Sequence, residues 1–422
     1  MFLDVISATL CAFKYQIDRH KNKYLWTNEY IEDLRMKKVA FVAPTYPVLS
    51  ETFIRTEVDS VKACGHPVCV MTFTKHNDCS EFDYDTHTIG EKADFSLIRT
   101  LSPTGMLKAL HFITKQQSMP KLSLFKYSLQ LALQMRKEEI NHVHAHFAQH
   151  TCTHAIAAAK MMGISNSFVA HGHDLYETPF DVDLKVNNSN FVVAVCKDME
   201  NDLKKINDDK IRLLHCGVKT NQFKPPALSA EKNQGGTPIK LVFLGRLVEQ
   251  KGLNYLLQSL AELNKPHLVT LDIIGDGELR TNLQQQVYKL GLSKFVRFHG
   301  SKSPHWVSRN LATFDCLVAP FCVSHSGCVD TGPLVLKEAM AVGVPVITTD
   351  LMGCKEIVAP GTGLIVKQKN SQSLSQAITE FINYSPEKHE DMRRLARLNV
   401  ENNFDALNQA KSLSNWIEAC AS

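Results

Sequence analysis

The chain has 422 residues, 44% of them hydrophobic and 21% charged, with a formal net charge of +4. This is the composition of a globular protein long enough for two or more domains. Its mild basicity suits an acidic small molecule or an anionic membrane surface and is too weak to indicate a nucleic-acid partner. No apolar run is long enough to span a bilayer.

The first residues, MFLDVISATLCAF, are apolar but lack a basic leader and carry Asp4, so no secretory signal is read there. Met36 stands directly before KKVAFVAP and is read as the functional start, with residues 1–35 as an extension. The twelve cysteines are scattered and contain no C-x-x-C. That pattern fits a reducing, cytoplasmic compartment and no zinc site.

Short runs rich in Val, Ile and Phe then alternate with helical patterns. The first half holds KVAFVAP, PVCVMTF, HVHAHF, SFVAH, FVVAVC and IRLLH; the second holds IKLVFLG, VTLDIIG, FVRFHG, CLVAPF, VPVITT and GLIV. Near-continuous apolar strands with helices between them predict parallel sheets covered on both faces. The expected fold is α/β, with two doubly wound Rossmann-like domains facing across a cleft. We read residues 36–222 as the first domain and 223–238, FKPPALSAEKNQGGTP, as a linker. Residues 239–405 make the second domain, and 406–422 a C-terminal helix that packs back on the first. Ligands of open parallel sheets lie beyond the carboxyl ends of the strands.

In the first half, Leu101 to Lys137 contains six Lys or Arg and no acid, interleaved with Leu107, Leu110, Phe112, Ile113, Leu124, Phe125 and Leu129. A basic amphipathic segment of this kind lies on an anionic membrane or forms a solvated helix face. His142, His144 and His146 alternate along one strand and share a face. His150 and His154 follow at a helical spacing that can bind metal, although ligand type alone discriminates poorly and no metal site is expected. His146 and His171, each late in its strand, are the cleft candidates, and Asp174 is placed to orient one of these imidazoles.

In the second half, IKLVFLGRLVEQKG is a strand running into a loop, where Gly245 lets the chain turn and Arg246 and Lys251 project. A guanidinium fork and an ammonium suit phosphate oxygens. Solvated surface cations are the alternative. Further on, CVSHSGCVDTGPLVLKEAM starts a helix at Gly332-Pro333, with Pro333 read as the first helical residue. The free amides of Leu334 and Val335 would then point out beside the positive end of the helix dipole. Two cations and one helix tip supply roughly +2.5 charges, enough to neutralise a nucleoside diphosphate without a divalent metal. Asp330 and Glu338 are hydrogen-bond acceptors suited to sugar hydroxyls. Their ordinary alternatives are a capping acid and an exposed helix residue.

GRLVEQKG, followed about eighty residues later by DTGPLVLKEAMAVGVPVITTD, resembles glycosyltransferase family 4, retaining nucleotide-sugar-dependent enzymes with the GT-B fold. The family's E-x(7)-E signature is matched at its second acid by Glu338. The first position holds the shorter Asp330, and the glycine falls one place late, at Gly332. PTYPVLSETFIRTEV, HVHAHFAQH and HGHDLY look like the N-terminal domain of exopolysaccharide glycosyltransferases of the colanic-acid type. LDIIGDGELRTNL and VRFHGSKS look like the nucleotide-facing strand ends of the second domain. The resemblance implies that Arg246 and Lys251 hold the donor diphosphate, Glu338 the ribose and Asp330 the donor sugar. It implies that the backbone at His299 and Gly300, with the Gly275–Gly277 turn, holds the base. It also implies that His171 lies near the reaction centre and that Glu51 and Thr52 face donor or acceptor. The implied reaction is transfer of a hexosyl group from a nucleotide diphosphate sugar to a hydroxyl of a growing, lipid-linked glycan. No metal or other cofactor is implied. A nucleotide-sugar epimerase of the same fold and a non-catalytic nucleotide-sugar-binding subunit are the rival readings.

Overall fold

The computed structural model describes residues 36–48, 51–75, 84–90, 94–226 and 238–421. The 1–35 extension and most of the 223–238 linker lie outside the described residues.

The first half builds a parallel sheet of seven strands. These are β1 (Val39–Tyr46), β2 (Val68–Lys75), β3 (Thr86–Thr88), β4 (His142–His146), β5 (Ser165–Ala170), β6 (Phe191–Ala194) and β7 (Ile211–Leu213), in the order β3-β2-β1-β4-β5-β6-β7. The second half builds one of six. These are β8 (Ile239–Leu244), β9 (Val269–Ile274), β10 (Val296–Phe298), β11 (Cys316–Ala319), β12 (Val346–Thr349) and β13 (Gly363–Val366), in the order β10-β9-β8-β11-β12-β13. Every strand foreseen from the sequence is present. The addition is β3, whose three residues Thr-His-Thr are all half-buried at a sheet edge. It carries no apolar run that would have announced it.

Helices cover both faces, and the two-residue alternation of a strand divides its side chains between them. In the second sheet, Val242, Leu317 and Val346 pack with Leu336 and Met340 on one face. Leu241, Phe243, Val318 and Ile347 pack with Leu256, Leu257, Leu260 and Ile378 on the other. In each sheet the strand order reverses beside the first strand, at β1/β4 and at β8/β11. The loops leaving those strands diverge and open a crevice.

The last helix, Ala406–Ala419, begins where Asp405 accepts hydrogen bonds from the amides of Leu407 and Asn408. It carries Ala410, Leu413 and Ile417 into the core of the first sheet. A parallel bridge between Val218 and Asp405 joins the two crossing segments.

Candidate active site

The β8 and β11 loops bring the first two charged groups together. Lys251 ends a short turn, Glu249–Lys251. Its ammonium is hydrogen-bonded to the Asp330 carboxylate and lies 4.8 Å from the centre of the buried Phe321 ring. Gly245 is followed by Arg246, which is exposed. The strand ends beside them are tied through backbone: Gly245 N–H donates to Ile274 O at 3.0 Å, Gly275 N–H to Gly300 O at 2.9 Å, and His299 N–H to Ile273 O at 2.9 Å. Gly275 has φ +142°, and a Cβ there would lie 1.8 Å from Gly245 O. Only glycine lets these two turns meet. Gly277 lies against the Leu247 backbone. The His299 imidazole is engaged by Asp272.

The helix after the Asp330 loop runs Leu334–Ala341, one residue later than expected. Pro333 has ψ 117°, an extended value, and is the N-cap and not the first helical residue. Proline has no side-chain acceptor, so the amides of the first turn, Leu334 and Val335 among them, receive no side-chain cap. Asp330 is not a capping acid, because its carboxylate goes to Lys251. Glu338 is half-buried on the same helix, and burial pushes its carboxyl up to about 7. Its neighbour Lys337 is a core residue whose Nζ donates to Cys216 O at 2.8 Å beneath the Phe404 ring. Gly332 lies 3.7 Å, measured from an added Cβ, from Val195 O of the first half.

The first half meets this loop at Gly172. A Cβ there would stand 2.1 Å from Val329 O, one residue before Asp330. His171 is half-buried between Phe53 and Phe147, with ring centroids at 4.6 and 4.8 Å. Its Nε2 has no hydrogen-bond partner, and burial lowers its pKa to about 3, so the imidazole is neutral. Glu51 is the N-cap residue of the helix Thr52–Ala63, and its Oε2 is buried without a partner. Burial raises its pKa while the positive charge of Arg246 pulls it down. Arg246 of the second half and Glu51 of the first therefore feel each other across the crevice.

Two readings of the histidine region are corrected. Asp174 orients no imidazole. It is buried and accepts the backbone N–H groups of His171, at 2.8 Å, and of Ala148. His146 is fully buried and does not line the cleft. His154 pairs with Ser128 at 3.1 Å. What the sequence did not disclose is Glu57, whose Oε1 lies 3.2 Å from His144 Nε2 and 3.3 Å from His146 Nε2. It sits on a helix nearly ninety residues upstream, and no local spacing links it to the strand.

Two parallel-sheet domains, a basic loop and an uncapped helix at the switch point of the second, and a histidine loop reaching over from the first are the arrangement of the GT-B glycosyltransferases. Residues 51–222 match Glycosyltransferase Family 4 and residues 226–399 match Glycosyl transferases group 1, and the chain belongs to this family of glycosyltransferases. The colanic acid biosynthesis glycosyltransferase WcaL of Escherichia coli (strain K12) is 23% identical, over 90% of this chain and 100% of its own length. The teichuronic acid biosynthesis glycosyltransferase TuaC of Bacillus subtilis (strain 168) is 27% identical, over 64% of this chain and 68% of its own. Among solved structures, a glycosyltransferase from Rickettsia africae superimposes with a TM-score of 0.70 at 18% identity, covering 91% of this chain and 100% of its own. Anabaena Alr3699/HepE in complex with UDP does so with a TM-score of 0.70 at 17% identity and the same coverage.

Proposed function

We propose that this protein is a retaining hexosyltransferase that moves a sugar from a nucleotide diphosphate donor to a hydroxyl of a growing, lipid-linked polysaccharide. The observation that carries the reading is the pairing of Lys251 with Asp330 in front of an uncapped helix start at the β8/β11 switch point. In this reading residues 239–405 form the donor side and residues 36–222 the acceptor side. Arg246, Lys251 and the amides of Leu334 and Val335 stabilise the charge that develops on the diphosphate as the anomeric bond breaks. No divalent ion is needed at the diphosphate.

Asp330 gives one carboxylate oxygen to Lys251 and has the other for a hydroxyl of the donor sugar. Glu338 accepts from the ribose diol, and the Gly275–Gly277 turn with the His299 and Gly300 backbone cradles the base. Neutral His171 touches the sugar from the opposite wall, while Glu51 and Thr52 meet donor or acceptor. The departing diphosphate oxygen takes the proton of the acceptor hydroxyl on the face from which it leaves, and this gives retention. The complexes of HepE with UDP and with UDP-glucose favour a UDP-sugar donor. The names of WcaL and TuaC favour a polysaccharide acceptor.

No helix among the described residues is long and apolar enough to cross a membrane. Access to a lipid-linked acceptor at the cytoplasmic face of an anionic membrane falls to the basic surface of the first half, where Leu107 and Leu122 are 68% and 86% exposed. A thermal-shift screen with UDP- and GDP-sugars, followed by transfer assays with lipid-linked acceptors, tests the proposal. A donor that binds raises the apparent stability by mass action. Donor converted to another sugar without acceptor would replace transferase by epimerase. Binding with no turnover on any acceptor would make the chain a binding subunit.

A further inference from the structure

We infer that Glu57, His144 and His146 form a binding site for one divalent transition metal of the zinc class, buried in the first half and separate from the diphosphate site. One ligand atom from each residue lies within 4.8 Å of the other two. His144 Nε2 and His146 Nε2 stand 3.2 and 3.3 Å from Glu57 Oε1. Zinc bonds of about 2.0–2.1 Å in a tetrahedron put neighbouring ligand atoms roughly 3.3 Å apart. None of these three atoms makes a hydrogen bond, and His146 Nδ1 is buried without one as well.

A row of hydrogen bonds stands behind the cluster: the His142 ring lies 2.8 Å from Ser165 Oγ and 2.7 Å from Ser167 Oγ, and Ser167 Oγ lies 2.7 Å from His144 Nδ1. This row holds the His144 ring with its Nε2 toward Glu57. The site is walled by Phe41 and Phe53, and polar atoms left unpartnered in such a place are costly. A metal ion satisfies all three ligands. The Ser167 hydroxyl behind His144 is the kind of partner that fixes a metal-bound imidazole. Three protein ligands leave a fourth position for water. The ion would pin the Thr52–Ala63 helix, and Phe53 against His171 with it, to β4.

The test uses the full chain purified after growth with zinc, and again after exchange into cobalt(II). About one zinc per chain is expected, with the visible absorption of tetrahedral cobalt in the exchanged protein. Glu57→Gln and His146→Asn should each abolish both signals. A parent protein with well under one metal per chain and no cobalt bands overturns the inference. So does a cobalt spectrum that persists in Glu57→Gln. Should either variant fail to fold, the metal content and cobalt spectrum of the parent decide alone.

Discussion

A carboxylate that grips a diol has to be ionised, and Glu338 sits where burial favours its protonated form, with its pKa pushed up to about 7. The folded value lies above the ordinary carboxylate value. This group therefore favours the folded state at low pH and loses that contribution as pH rises through about 7. Donor binding runs the other way, because only the ionised form accepts both hydroxyl hydrogens. The affinity for a UDP-sugar, whose diphosphate diester does not titrate in this range, should rise about tenfold from pH 6 to pH 8. Glu338→Gln should bind more weakly and with no slope. Calorimetry at the two pH values checks this, and a flat parent profile removes Glu338 from the ribose. Lys251 and Arg246 carry a second expectation. A charge-assisted hydrogen bond is worth about 1.5–3 kcal/mol, and each 1.4 kcal/mol is tenfold in rate. Lys251→Ala and Arg246→Ala should each lower turnover by more than about tenfold, with or without added magnesium. Transfer rates that survive either change would move the diphosphate elsewhere.

The elements were legible wherever burial writes itself into the chain. β1, β6 and β8 are apolar for most of their length because helices cover both faces, and their signals were plain in sequence. β3 was invisible because a short, half-buried edge strand needs no apolar residues. The start of the Leu334–Ala341 helix was misplaced by one residue because Pro333 fits both the cap and the first turn, and only its ψ angle separates them. Glu57 could not be read at all, since its partners lie far along the chain. The basic amphipathic stretch resolves into two helices, Pro103–Lys115 and Lys121–Lys137, which sort its apolar residues. Phe112, Ile113, Leu124 and Leu129 are core, while Leu107, Leu110 and Leu122 stay exposed near Lys108, Lys115 and Lys121 in sequence. A fully buried leucine is worth about 1.5–3 kcal/mol. Replacing these three by serine should therefore weaken binding to phosphatidylglycerol-rich vesicles by at least about tenfold, even with partial insertion. Added salt should lower what remains. Cosedimentation measures both, and unchanged binding of the triple variant would leave this face to solvent.

At the scale of the whole molecule, the two halves are joined by more than the polypeptide between them. Glu356 of the second half accepts from Lys197 N–H of the first at 2.7 Å and pairs with His215 at 2.9 Å, and Lys355 meets Asp198 at 2.8 Å. The C-terminal helix contributes most, because it leaves the second half at Asp405, which binds Thr220 at 2.5 Å, and buries its apolar face in the first. Its Ser414 hydroxyl meets the buried His66 ring at 2.8 Å, so its seat has polar as well as apolar fit. Leu413 is fully buried there, far along the chain from the donor-site loops. A leucine-to-alanine change at such a position costs about 2–5 kcal/mol through lost transfer energy and the cavity left behind. Leu413→Ala should therefore lower the free energy of urea unfolding by an amount in that range, read as a lower midpoint, while the folded variant binds a UDP-sugar as the parent does. If the helix only decorates the surface, the midpoint will not move. If it instead sets the crevice between the sheets, donor affinity will fall along with stability, and the two measurements made on one variant separate these cases.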